Sequence, residues 1–223
     1  MEPESALTHA VQDYAKAIYA LEQRADDAVT TNALAERLGV TPGSASAMAK
    51  RLDALGLVRH EPYRGVRLTE QGRRVALEVL RHHRLLEAFL REELDMPWDR
   101  VHAEAEVLEH VISEDLEQRI AEKLGHPELD PHGDPIPSAD FEIDEGETRA
   151  LAELEPGEGG VFARVSDSDP AMLRYLSDRG IAPGMQLVLE GREPFGGPLT
   201  VTVAGEHHHL GPELASAMRI AAR

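Results

Sequence analysis

Between Asp13 and Arg24, apolar residues fall at Tyr14, Ala17, Ile18 and Leu21, the spacing of one buried helix face. Asp13 opens that run, where a carboxylate favours a helix N-terminus. Further on, Thr31 or Asn32 can cap a short helix that carries Leu34, Ala35 and Leu38 and stops at Gly39. Thr41 can cap the next helix, with Pro42 at its first position and Ala45, Met48, Ala49 and Leu52 on its inner face. Gly56 ends it. Leu57–His60 and Val66–Thr69 then alternate as two short strands, with Tyr63, Arg64 and Arg67 near the tip of their hairpin. Helix, tight turn, helix and basic hairpin in that order predict a winged helix-turn-helix.

The 3.6-residue period returns in Gln71–Arg91, with Val75, Val79, Leu80, Leu85, Leu86, Phe89 and Leu90 as its apolar positions. Val101–Ser113 predicts a second helix and Leu116–Leu124 a third. These helices carry more apolar surface than one bundle buries, which points to a homodimer, the form in which a winged helix reads a palindrome. Residues 125–146 shift to Pro, Gly, Asp and His and read as a linker. Short strands, frequent turns and one helix at Pro170–Arg179 follow, which suggests a small β-barrel. The expected fold is mainly α with a C-terminal β-barrel: a DNA-binding domain over 1–74, a helical metal-binding and dimerisation domain with linker over 75–146, and a barrel domain over 147–223.

Charge refines this picture. The net charge of −18 argues against general affinity for nucleic acid. Yet Thr31–Arg84 holds ten Lys and Arg against five Asp and Glu, a basic front on an acidic body. The second short helix turns Gly43, Ser44, Ser46, Ala47 and Lys50 outward, with Thr41, Pro42 and Arg51 beside them. Small residues let such a helix sit deep in a major groove. No arginine stands at its N-terminal end to grip guanine, so phosphate contacts and DNA shape carry more of the recognition. The chain has no cysteine, which excludes disulfides and thiolate metal sites. No apolar run approaches ~18 residues, and the acidic N-terminus lacks the order of a secretory signal. A cytoplasmic protein without a membrane partner is expected.

The candidate chemistry lies in VHAEAEVLEHVIS, where His102, Glu106, Glu109 and His110 fall at i, i+4, i+7 and i+8 on one helical face, flanked by Val107, Leu108, Val111 and Ile112. Upstream, His83 and Glu87 stand four residues apart and face the same way. Two such helices would surround a metal with nitrogen and oxygen donors only. Asp130 and His132 in DPHGDPIP are ligand types at close spacing, in what alone would be an ordinary polar turn. His207–His209 read as surface histidines. A metallohydrolase would need a nucleophile and a substrate pocket, which nothing in the chain marks; neither an enzyme nor a small-molecule substrate is expected. A metal-storage protein whose winged helix only dimerises is the third reading.

The order of these segments, ending in SDSDPAMLRYLSDRGIAPG, resembles the DtxR/MntR family of metal-dependent transcriptional repressors across nearly the whole chain. H-x3-E at 83–87 and H-x3-E-x2-EH at 102–110 are its most specific parts. The resemblance implies a homodimer whose metal-bound form binds palindromic operator DNA and shuts off metal uptake, with an SH3-like, FeoA-related C-terminal domain. It implies a regulatory site of Asp13, Glu106, Glu109 and His110, and a second site of Glu87, Asp130, His132 and Asp169. His83 and His102 are ligands in the iron-sensing branch, and here are either ligands or partners of ligands. Iron-sensing relatives carry a thioether and a thiol where this chain has Asp13 and Glu106, and hard oxygens at both places favour Mn2+. Fe2+ is the alternative for the same architecture, and Co2+ or Zn2+ can substitute in vitro. Lys16 falls where some short manganese sensors have another acidic ligand.

Overall fold

The computed structural model describes residues 7–23, 27–61 and 64–222; Tyr63 lies outside them. They group into two compact units, one of residues up to His82 with 109–111 and 137–142, the other of 83–108, 112–136 and 143–223.

The first unit begins with α1 (His9–Glu22), α2 (Thr31–Leu38) and α3 (Pro42–Ala54). Asp13 is the fifth residue of α1, beyond the first turn expected for it, so its carboxylate is not a dipole partner. Thr30, rather than Thr31 or Asn32, caps α2 by accepting from Ala33 N, and Gly39 closes that helix at φ 63°. Thr41 caps α3 through Ser44 N, with Pro42 in the first turn. Two strands, β1 (Val58–Glu61) and β2 (Gly65–Leu68), pair antiparallel, Val58 opposite Leu68, as the wing. Val11, Ile18, Leu34, Ala45, Leu52, Leu57 and Val66 are buried together and fix the three helices to it. Thr69 then starts α4 (Glu70–Leu94), its Oγ1 accepting from Gly72 N and donating to Gly56 O. Gly72 is required there, because a Cβ would fall 1.8 Å from the Leu57 carbonyl oxygen.

The second unit takes the rest of α4 from His83, then α5 (Trp98–Leu108) and α6 (Glu114–Lys123). Leu85, Leu86, Ala105, Ile120 and Ala121 pack as one cluster. α5 ends at Leu108, five residues before the expected end at Ser113. Val107 and Val111, expected to make apolar contacts beside the polar stripe, are instead 69% and 65% exposed. Residues 125–146, read from composition as a linker, include a buried turn. Asp130 Oδ1 accepts from the backbone N–H of His132 (2.8 Å) and Asp134 (3.0 Å), and Leu129 bridges Pro135.

Strands β3 (Thr148–Ala150), β4 (Gly159–Val165), β5 (Gln186–Arg192), β6 (Leu199–Val203), β7 (Glu206–Leu210) and β8 (Met218–Ala221) form one antiparallel sheet in the order β3-β8-β4-β5-β6-β7. This SH3-like sheet is open rather than a closed barrel, because among the described residues β3 and β7 do not pair. Helices α7 (Pro170–Ser177) and α8 (Pro212–Ala217) complete it. Alternate residues of β6, Leu199, Val201 and Val203, join Phe162, Leu173, Leu187 and Ile220 in its core, as a strand period of two requires. Trp98 at the start of α5 is buried in that same cluster. His207–His209 lie on β7, where His207 and His209 contact Thr202 and Thr200.

Candidate metal centres

In the first unit, Asp13, Glu109 and His110 bring ligand atoms within 4.8 Å of one another. α1 presents Asp13, and residues 109–110 enter the unit because α5 stops at Leu108. His110 Nε2 lies 2.8 Å from Asp13 Oδ1 and 3.5 Å from Glu109 Oε1. Its other nitrogen, Nδ1, donates to Gln12 Oε1 at 2.9 Å, which turns Nε2 toward the carboxylates. The His9 ring stacks on the His110 ring, their centroids 4.7 Å apart. His82 Nδ1 donates to the Glu109 carbonyl at 3.1 Å and holds the segment in place. Lys16 Nζ reaches Glu109 Oε1 at 2.5 Å.

The second unit holds a larger cluster around Glu87, whose side chain is fully buried. Glu87 Oε1 accepts from His83 Nε2 at 3.0 Å and meets His102 Nδ1 at 3.3 Å. Asp167 Oδ2 approaches the same His102 nitrogen at 2.9 Å, so His83, Glu87, His102 and Asp167 form one ligand group. Glu87 Oε2 faces His132 Nδ1 at 3.6 Å, and Glu87, Asp130 and His132 form a second group that shares the carboxylate. Glu106 Oε1 lies 3.9 Å from both His83 Nδ1 and His102 Nε2. Within its own unit Glu106, which the resemblance assigns to the site of Asp13, Glu109 and His110, also stands beside these two histidines.

Asp169 is not part of this cluster. It caps α7, its Oδ1 accepting from Ala171 N at 2.8 Å, with Pro170 in the first turn. The place expected of Asp169 is taken by Asp167, two residues earlier. Asp-Pro is itself a helix-start signal, and reading it as such would have freed Asp167 as the carboxylate to consider. Gln12 and His82 also escaped the pattern reading, because neither lies on the helix face of the ligand it steadies.

The electrostatics of the second cluster fit a cation. Burial alone would raise the Glu87 carboxyl, yet His83, His102 and His132 hold it well below the usual carboxylate range. Burial also works against a charged His102, but Asp167 and Glu87 outweigh it and raise His102 to about 10. Burial likewise opposes a charged His132, and Glu87 and Asp130 raise it to about 9. Asp130 is pushed well above the ordinary range by burial and by Glu87 and Asp134, against the pull of Arg84 and His132. Glu87 Oε2 and His132 Nδ1 are buried without a hydrogen-bond partner. His132 Nε2 is engaged with the Trp98 carbonyl at 2.8 Å, so Nδ1 is the nitrogen left for a ligand. These two atoms face each other 3.6 Å apart, too far for a hydrogen bond, in a buried, sulfur-free cluster, and that is the observation that a divalent metal fits.

The residues expected to meet DNA lie on the surface. Thr41, Pro42, Gly43, Ser44, Ala47, Lys50 and Arg51 are exposed along α3, Ser46 is half-buried, and Arg64 and Arg67 are exposed on the wing. Thr41 and Ser44 hydroxyls lie 3.0 Å apart at the helix start.

A winged helix together with metal-ligand clusters defines a metal-dependent DNA-binding regulator. Family models agree: iron dependent repressor, N-terminal DNA binding domain, matches residues 6–66; iron dependent repressor, metal binding and dimerisation domain, matches 69–138; and the FeoA domain matches 149–222. Iron-dependent repressor IdeR of Mycobacterium tuberculosis (strain H37Rv) is 32% identical over 227 residues, 96% of this chain and 97% of that protein. The diphtheria toxin repressor of Corynebacterium efficiens is 30% identical and covers 96% of each chain. A solved manganese-dependent transcriptional repressor in complex with manganese is 44% identical, with a TM-score of 0.89 over 96% of this chain and all of that one. ScaR with bound Zn2+ gives 29% identity and a TM-score of 0.79 over 96% of this chain. The chain belongs to the DtxR family and is a metal-dependent transcriptional repressor, not an enzyme.

Proposed function

We propose that the protein is a Mn2+-responsive repressor whose metal-bound homodimer binds palindromic operators and silences metal-uptake genes. Operator DNA places the working protein in the cytoplasm. The observation that carries the metal assignment is the donor set Asp13, Glu109 and His110, two carboxylates and an imidazole with no sulfur. Hard oxygens suit Mn2+, whereas soft donors would favour other metals. The affinity order ranks Zn2+ above Mn2+, so selectivity for manganese rests on coordination number and cellular supply.

When bound, the ion supplies two positive charges shared by Asp13 and Glu109, in place of the single Lys16 ammonium on Glu109. Asp13 belongs to α1 of the winged-helix unit, and Glu109 and His110 belong to the segment after α5. Gln12 keeps His110 Nε2 aimed at them, and His82 fixes the Glu109 backbone. Joined through one ion, Asp13, Glu109 and His110 set α1 in one position and with it α3 and the wing. Two recognition helices held at one spacing then match half-sites one DNA turn, or a multiple of it, apart. By linkage, operator binding tightens metal binding by the same factor. His83, Glu87, His102, Asp130, His132 and Asp167 form the second centre in this reading, with Asp130 also shaping the turn that presents His132.

Fe2+ is the second reading, favoured by the 32% identity to IdeR. The experiment is fluorescence anisotropy with a palindrome from upstream of a metal-transporter gene, at fixed salt, with Mn2+, anaerobic Fe2+ or chelator. Tight binding with Mn2+ that chelator abolishes is expected, as is its loss in Asp13→Ala with the dimer intact. Metal-dependent binding that survives in Asp13→Ala removes this centre from the mechanism. Stronger activation by Fe2+ moves the assignment to iron.

A further inference from the structure

Lys16 lies three residues after Asp13 on α1, on the same helix face. Its ammonium sits 2.5 Å from Glu109 Oε1, the carboxylate oxygen that is also 3.5 Å from His110 Nε2. The Glu109 side chain is 0% exposed and that of Lys16 is 17% exposed. A carboxylate so buried requires a compensating cation, and Lys16 provides one inside the group that would bind metal. Asp13, a second anion, and His110 have ligand atoms within 4.8 Å of Glu109, and Gln12 holds the His110 Nδ1.

We propose that Lys16 is a built-in competitor for the divalent cation. Resting on the reading of Asp13, Glu109 and His110 as a metal centre, this assigns Lys16 the role of setting its metal threshold. In the metal-free protein the ammonium neutralises Glu109. Binding of a divalent cation separates that pair and brings two like charges close together, so a higher metal concentration is needed to load the centre. The partial exposure of Lys16 gives the displaced ammonium a route into solvent, which limits the penalty without removing it. Such a threshold keeps a repressor off its operator while metal is scarce, and the ammonium excludes a second cation from Glu109.

The test is calorimetric titration of Mn2+ into the full chain, wild type and variants, with thermal melts without metal. The isotherm that Asp13→Ala removes identifies this centre. Lys16→Met is expected to tighten that isotherm at least about tenfold, because Coulomb repulsion at contact distance is lost. Its metal-free melting temperature should fall while its Mn2+-induced rise grows. Lys16→Arg, which keeps the charge, should stay within about threefold of wild type. Should Lys16→Met not fold, Lys16→Gln carries the same expectation. Unchanged or weaker Mn2+ binding in the neutral variant overturns the proposal, as does tightening in Lys16→Arg equal to that in Lys16→Met. If Asp13→Ala removes no isotherm, the metal-centre reading itself fails; if it removes one that the neutral variant leaves unchanged, only the role of Lys16 fails.

Discussion

Metal binding at the Glu87 centre should expel protons, in a number that the structure fixes. Burial disfavours charge on His102, but Asp167 and Glu87 carry it to about 10, and Glu87 and Asp130 carry His132 to about 9 against the same opposition. At pH 7.5 both rings are therefore imidazolium in the metal-free protein. A metal ligand must be the neutral ring with its lone pair free. His102 and His132 belong to separate ligand groups that share Glu87, so filling both groups releases two protons, and the product of the two apparent association constants climbs about 100-fold per pH unit below pH 9, or about 2.7 kcal/mol per unit. Between pH 9 and 10 the slope drops to about tenfold, and above that range the imidazoles add none. The assay is titration of Mn2+ into the Asp13→Ala protein in buffers of unlike ionisation enthalpy, which counts protons directly. Uptake of close to two protons by the buffer is expected. A count of zero would refute the reasoning, since it would mean that the rings start neutral or do not bind. The same shifts act on stability without metal. Both pKa values lie above the ordinary 6.5, so the contribution of the two rings is full below pH 6.5 and disappears as pH rises through 9 and 10.

Two further outcomes separate the residues around this centre. Asp167→Asn should weaken Mn2+ there at least about tenfold, while Asp169→Ala should cost only a helix cap, about 1 kcal/mol by urea unfolding, and leave metal affinity alone; the reverse pattern would return Asp169 to the ligand set. Gly133→Ala would place a Cβ 2.0 Å from the Ala163 carbonyl oxygen at a φ of +87°, so a loss of about 2–4 kcal/mol and weaker binding at His132 are expected; an unchanged urea midpoint would show that the turn adapts.

The wing and its two preceding helices were legible because their signals are local. Thr41 and Pro42 start α3, Gly39 stops α2, and the apolar spacing names the buried faces. The gathering of His83, His102 and His132 around Glu87 was foreshadowed too, by their residue types and spacing. What the pattern hid was the end of α5. His102, Glu106, Glu109 and His110 keep helical spacing through Val111 with no glycine or proline to mark a stop. The helix ends at Leu108 because Glu109 and His110 find partners distant in sequence, in Lys16, His82, Gln12 and Asp13. Composition likewise misread residues 125–146, where Pro and Gly shape a buried turn rather than a loose tether. The small β-barrel is present as an SH3-like sheet, although strand pattern reports alternation and not which edges meet, and so did not show that β3 and β7 stay unpaired among the described residues.

Glu87 gives one oxygen to His83 and His102 and turns the other toward His132. A genetic screen would feel this division of labour. Alleles at 102 or 167 and alleles at 132 can each disable one ligand group and leave the other to be studied. No allele at 87 can do so, and the position should behave as a single locus whose loss is epistatic to both sets.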